Sequence, residues 1–259
     1  MKYGLKIYQG HVSWEGLEGH QFLERYNLVP YHDKRSPLLM IGVHSVEDLR
    51  ILLNHKQWVV IRWCGRDSLR KIVDRIPKTG KIIHTTTLPQ VKEFLKTKGI
   101  NCYLMKRAHT ERTYPVPKPL GKKIFVYLPA NRAEYHGKET LKKLKTEYEI
   151  IVGDGSISMK EWRSGKCDEF YSQVFIGLCL SEYAGGGTTI MEMGIRGIPV
   201  VTNVLNEPHC IPWKTIEDIE QAIEQEAKNI GKTNTELAKQ VFDSMIDDLD
   251  CFDLDKLLK

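Results

Sequence analysis

The chain has 259 residues, 41% hydrophobic and 27% charged, with a formal net charge of +5. Those proportions provide a core and exclude disordered, collagen-like and disulfide-stapled chains. The mild positive charge suits phosphate-bearing ligands without requiring nucleic acid; no apolar stretch reaches the length of a membrane span, and the six cysteines are scattered with no Cys-x-x-Cys pair.

In chain order, residues 2–8 alternate and predict a strand. A loop over residues 9–20 follows, with His11 and His20 among its glycines. Ligands of parallel α/β sheets gather beyond the carboxyl ends of strands, so this loop is a candidate site wall; the plainer reading is an exposed connection. Residues 38–43 predict a short apolar strand. Ser45, with Asp48 three residues on, starts a helix over 46–54 much like a capping box. Residues 57–63 predict a buried strand, ended by Cys64-Gly65-Arg66-Asp67, and a helix is expected from about 68 to 75. A strand over 81–85 leads to Thr87 and Gln90, spaced as a capping box with Pro89 in the first turn, and that helix stops at Gly99. A last strand covers 101–105. Strands alternating with helices argue for a parallel sheet covered on both faces.

The composition then changes. Residues 113–121 carry three prolines without periodicity and read as a stiff linker, placing one domain at 1–115 and another at 120–259. The second half restarts with a strand over 123–128, a loop over 129–137 with Arg132, and a helix from Lys138 to about 146. A strand over 148–152 ends at Gly153-Asp154-Gly155. A polar, helical segment leads to 173, and a strand over 174–178 feeds Gly185-Gly186-Gly187-Thr188-Thr189. Glycines let a ligand approach the backbone, and a helix opening at the threonines offers unpaired N–H groups and a positive dipole end to an anion. Glu192, one turn further on the same side, is placed to accept hydrogen bonds from ribose hydroxyls. Phosphate with ribose means a nucleotide; the bland reading is a glycine-rich connection. Residues 199–203 predict another strand, and apolar stripes at 216–227 and 237–245 predict helices.

This order of features resembles the donor lobe of the GT-B glycosyltransferases: a strand, then Arg132 and Lys138, then Ile150-Ile151-Val152-Gly153-Asp154-Gly155, then Gly185-Gly186-Gly187-Thr188-Thr189 with Glu192, then Gly197-Ile198-Pro199-Val200-Val201. The likeness runs from about 57 to 205 and looks like a compact member of viral, phage or capsule-locus type. It implies an α/β fold of two Rossmann-like lobes whose parallel sheets face a central cleft. It further implies a metal-independent transferase moving a sugar from a UDP- or GDP-linked donor to a glycan or other hydroxyl acceptor. In this reading Arg132, Lys138, Gly185, Gly186, Gly187, Thr188 and Thr189 hold the donor diphosphate and Glu192 its ribose. Retaining members carry an acid eight residues before the ribose glutamate; here that position is Ala184.

No metal or other cofactor is expected, because cationic side chains and helix-start N–H groups can stabilise the leaving diphosphate. Asp67, His11 and His20, each expected at a strand end, are the candidate bases for the acceptor hydroxyl. Asp67 serves equally well as a helix cap. The other readings are a DNA-modifying glycosyltransferase acting on a hydroxylated base, with nucleic acid as acceptor, and a non-catalytic nucleotide-sugar-binding module. A cytoplasmic protein, in the host cytoplasm if viral, is expected; the oligomeric state is open.

Overall fold

A computed structural model describes residues 6–8, 29–30, 34–63, 71–78, 80–105, 115–130, 133–154, 166–181 and 187–246. These fall into two compact units, 6–105 and 115–246, so the division lies in or just before the proline-rich stretch. Among the described residues no helix is long and apolar enough to cross a membrane.

The first unit is a six-stranded parallel sheet: β1 (Lys6–Tyr8), β2 (Val29–Pro30), β3 (Leu38–Ile41), β4 (Val59–Trp63), β5 (Ile82–Thr86) and β6 (Cys102–Leu104), in the order β2-β1-β3-β4-β5-β6. β3 and β4 are buried along their whole length, as expected of strands covered on both faces. Helix α1 (Val46–Asn54) follows β3 and carries the expected capping box, in which Ser45 Oγ accepts from the Asp48 amide at 3.0 Å. Helix α2 (Pro89–Thr97) follows β5 and corrects an expectation. Pro89 fixes its first turn, so the N-cap is Leu88 with no side-chain cap, and the Thr87–Gln90 box does not form. The Leu88 amide donates instead to Thr86 Oγ1 at 3.2 Å. Residues 71–75 form a 3₁₀ turn, and the rest of the helix expected from 68 lies outside the described residues.

The second unit is a five-stranded parallel sheet. Its elements in chain order are β7 (Lys123–Tyr127), α3 (Lys138–Lys143), β8 (Ile150–Gly153), α4 (Cys167–Tyr171), β9 (Val174–Cys179), α5 (Gly187–Gly194), β10 (Val200–Thr202), β11 (Cys210–Ile211), α6 (Ile216–Ala227) and α7 (Thr235–Ile246). The sheet order is β11-β10-β9-β7-β8. Ile124, Phe125, Val126, Phe175, Ile176 and Leu178 fill its centre. Asn203 and Trp213 exchange two hydrogen bonds at the β10 exit, 2.7 and 3.0 Å long.

The proline-rich stretch is not loose to its end. The Leu120 amide donates to the Lys232 carbonyl and the Gly231 amide to the Leu120 carbonyl, both at 2.9 Å. A cavity of about 160 Å³ lies inside this unit under Pro115, Val116, Pro119 and Leu120, beside Tyr171 and Arg196.

Candidate functional site

Both sheets share one topological property. In the second, the chain runs from β7 to β8 on one side and then crosses back to β9 on the other. Crossovers therefore diverge from between β7 and β9 and leave a crevice beyond their carboxyl ends, the usual ligand position in doubly wound sheets. β1 and β3 stand in the same relation in the first unit.

The connections meeting at the β7/β9 switch are the two that the sequence singles out. The one after β7 is pinned on one side to the end of β8, where the Leu128 amide donates to the Gly153 carbonyl at 3.0 Å. On the other side it touches the exit of β9. Gly137, in the left-handed region at φ +84°, packs so closely that a Cβ there would sit 2.6 Å from Leu180 Cβ and 2.9 Å from its carbonyl oxygen. Only glycine meets both demands. The turn leading to Lys138 and the strand exit leading to the triple glycine are therefore in direct contact.

α5 opens at Gly187, with Thr188 and Thr189 half-buried and no acidic residue in its first turn. The contrast with α1 is electrostatic. There Asp48 Oδ2 takes the amides of His44 and Ser45 at 2.8 and 2.9 Å, so that helix start is neutralised by its own carboxylate. The first turn of α5 brings no such charge of its own. Past this turn α5 is buried all round: Ile190, Met191 and Met193 are at most 1% exposed. It is closed by Gly197 at φ +77°, with the Ile198 amide donating back to the Met193 carbonyl at 3.0 Å, a Schellman arrangement. His209 fixes its outer side through a 3.0 Å hydrogen bond from Nε2 to the Ile190 carbonyl.

Lys138 is the first residue of α3, and its Nζ pairs with Glu134 at 3.0 Å. Both side chains are well exposed, at 42% and 67%. Such a pair is worth under about 1 kcal/mol, so a phosphate could recruit the ammonium at little cost. Arg132, Gly185, Gly186, Asp67, His11 and His20 lie outside the described residues.

Glu192 takes part in a buried polar cluster of the second unit. It is 8% exposed, and Tyr171 donates its hydroxyl to Glu192 Oε2 at 3.0 Å. Arg196 stands over the Tyr171 ring, 5.3 Å from its centre, donates to the Glu192 carbonyl at 2.8 Å, and pairs with Asp168 at 2.7 Å. Burial first, and then the Glu192 charge, hold the Tyr171 hydroxyl well above its ordinary pKa, so it is the donor in this bond. Tyr171 is the last residue of α4, three positions ahead of the start of β9, and lines the cavity under the proline-rich stretch. Through this bond with Tyr171 the Glu192 carboxylate braces α5 against α4.

Sequence reasoning missed this brace between Tyr171 of α4 and Glu192 of α5. The i,i+4 spacing of Glu192 and Arg196 was legible, although it carries a bond from the guanidinium to the Glu192 carbonyl and not a side-chain ion pair. Tyr171 was not, since it is 21 residues away in another helix.

No family model matches the chain, and no curated protein matches it.

Proposed function

We propose that this protein is a glycosyltransferase of the two-lobed GT-B kind whose second unit holds the diphosphate of a nucleotide-sugar donor. The observation that carries this reading is the contact of Gly137 with Leu180 at the β7/β9 switch point. It brings the turn bearing Lys138 against the exit that leads to Gly187, Thr188 and Thr189. A cation-bearing turn and an acid-free helix start meeting beyond a switch point form a site for a phosphorylated ligand. Thr188 and Thr189 donate to the phosphate oxygens, and Lys138 leaves Glu134 to neutralise them. As the sugar departs, these groups stabilise the charge accumulating on the diphosphate. The acceptor is a glycan or another hydroxyl compound, and its base is one of Asp67, His11 and His20. No metal has a part in this scheme.

The engagement of Glu192 by Tyr171 favours one other reading, a nucleotide-sugar-binding module without transfer activity, since a ribose glutamate open to the donor is then not required. Thermal denaturation in the presence of UDP-, GDP- and TDP-sugars, followed by assay of free nucleoside diphosphate, decides between them. A ligand bound only by the folded state raises the melting temperature. We expect one sugar nucleotide to do so and to be hydrolysed slowly. Thr188→Val with Thr189→Val should weaken its binding about tenfold, the loss of one or two charge-assisted hydrogen bonds. Stabilisation without turnover supports the module; no stabilisation by any of them refutes the proposal.

A further inference from the structure

The two units differ in charge. The described residues of the first carry 13 lysines and arginines against four aspartates and glutamates; those of the second carry 13 against 16. The overall charge of +5 therefore conceals a cationic first unit and a mildly anionic second one. Charge segregated in this way favours an anionic partner for the cationic part.

Topology gathers the cations of the first unit. β3, β4, β5 and β6 are parallel, so their amino ends share one edge of the sheet, where Leu38, Val59 and Ile82 stand level. Lys34 and Arg35 lead into β3, Lys56 into β4, Lys78 and Lys81 into β5, and Lys98 into β6. Hydrogen bonds draw these segments together. The Lys56 amide donates to the Lys34 carbonyl at 3.3 Å and the Val59 amide to the Lys81 carbonyl at 2.8 Å. Lys81 Nζ donates to the Lys56 carbonyl at 3.4 Å. A Cβ on Gly99 would lie 3.5 Å from Lys78 Nζ, so that ammonium reaches the turn ahead of β6. Lys34, Arg35, Lys56, Lys78 and Lys81 are all exposed.

Carboxylates do not follow them. Of the four described in this unit, Glu47 and Asp48 open α1 beyond the carboxyl end of β3, and Glu93 lies inside α2. Only Asp74 comes to the amino edge, where it pairs with Lys98 at 3.0 Å. Among the described residues Lys34, Lys56, Lys78 and Lys81 have no acidic partner. Neighbouring strands are about 4.8 Å apart, so the row from β3 to β6 is about 14 Å long. One strand of a duplex presents a phosphate about every 3.4 Å along its axis, so about four phosphates face a row of that length. A lipid surface would ask for exposed apolar side chains among the lysines. Val46 instead lies beyond the carboxyl end of β3, and Tyr103 and Leu104 within β6, which leaves Leu53 alone near the row.

We propose that the amino edge of the first sheet binds the phosphodiester backbone of a nucleic acid through Lys34, Lys56, Lys78 and Lys81. Contacts to phosphate carry no sequence information, so binding is indifferent to base sequence. The surface lies at the edge opposite the β1/β3 crevice of its own sheet and makes no use of the donor-site reading.

The test is fluorescence anisotropy of a labelled DNA duplex of arbitrary sequence with the full chain, from about 50 to 200 mM salt. Wild type should bind with a log–log salt slope of about −3 to −4, four phosphate contacts at about 0.9 each. Lys56→Gln alone should reduce that slope by about one. Lys34→Gln with Lys56→Gln and Lys81→Gln should reduce it by about three and weaken binding at least about tenfold at the lowest salt. Lys142→Gln with Lys143→Gln and Lys239→Gln removes the same charge from the second unit and should leave the slope unchanged. The single variant keeps the test decisive if the triple variant is poorly folded. Absence of binding at the lowest salt, or equal losses in the two triple variants, refutes the proposal. So does tighter binding to phosphatidylcholine vesicles holding about a third phosphatidylserine than to the duplex, which would assign the row to a membrane surface.

Discussion

His84 is a neutral imidazole held inside the first unit. It is 4% exposed, its Nδ1 accepts from Trp63 Nε1 at 3.2 Å, and the two rings are stacked 12° from parallel. Accepting at Nδ1 leaves the proton of the neutral ring on Nε2, which is buried with no hydrogen-bond partner among the described residues. Burial lowers its pKa from 6.5 to about 4. Between those values the unfolded chain takes up a proton that the folded chain refuses, so stability falls as pH is lowered through that window and is fully present above it. The shift corresponds to about 3 kcal/mol of stability lost between pH 6.5 and 4. Urea titrations at pH 7, 5.5 and 4.5 should show that decline, and His84→Phe should flatten it; an unchanged slope in the variant would place the acid sensitivity elsewhere. Trp63 belongs to this interior pair at 1% exposure.

Among elements, α5 is the one whose position depends most on absent side chains. It lies flush on β9 because Gly177 leaves room for the Met193 thioether, and His209 lies against Gly194. Alanine in place of a helical glycine ordinarily gains about 1 kcal/mol from backbone entropy. At Gly194 a Cβ would fall 2.6 Å from the His209 ring, whose Nε2 is tied to the Ile190 carbonyl. Overpacking of that kind costs about 1 to 3 kcal/mol. Gly194→Ala should therefore lower the melting temperature, against the helix propensity, and Gly194→Ala with His209→Ala should recover part of the loss; a stabilised single variant would contradict this packing. The helix itself was legible, because glycines followed by threonines and an apolar run have few other readings. The direction of Glu192 was not: the face it occupies follows from spacing, whereas burial of that face depends on Tyr171 arriving from α4. The shortened α3 has a similar cause, since the chain leaves helical geometry at Leu144, whose ψ is 130°.

For the whole molecule, the alternation of strands and helices marked parallel sheets. Strand order was not written in any local pattern. Whether the chain turns left or right after β7 depends on which faces remain to be covered, and that is decided by all the elements together. Two strands escaped notice because they are two residues long. One of them, Val29–Pro30, holds a proline that only an edge strand tolerates, and β2 is indeed at the edge of its sheet. The switch-point position of the candidate site gives a prediction at this scale. Hydrogen exchange with a bound sugar nucleotide should slow at residues 133–143 and 187–194 of the second unit, with 200–202 and 216–227 little changed. Protection centred on 216–227 instead would move the donor off the β7/β9 crevice.

The two hydrogen bonds between Leu120 and residues 231 and 232 bear on where this polypeptide can be cut. Removing everything before Lys122 would take away the partners of the Gly231 amide and the Lys232 carbonyl, together with the roof over Tyr171 and Arg196. A fragment of the second half made for crystallography or isotope labelling should accordingly begin ahead of Pro115, so that the prolines travel with the portion they cover.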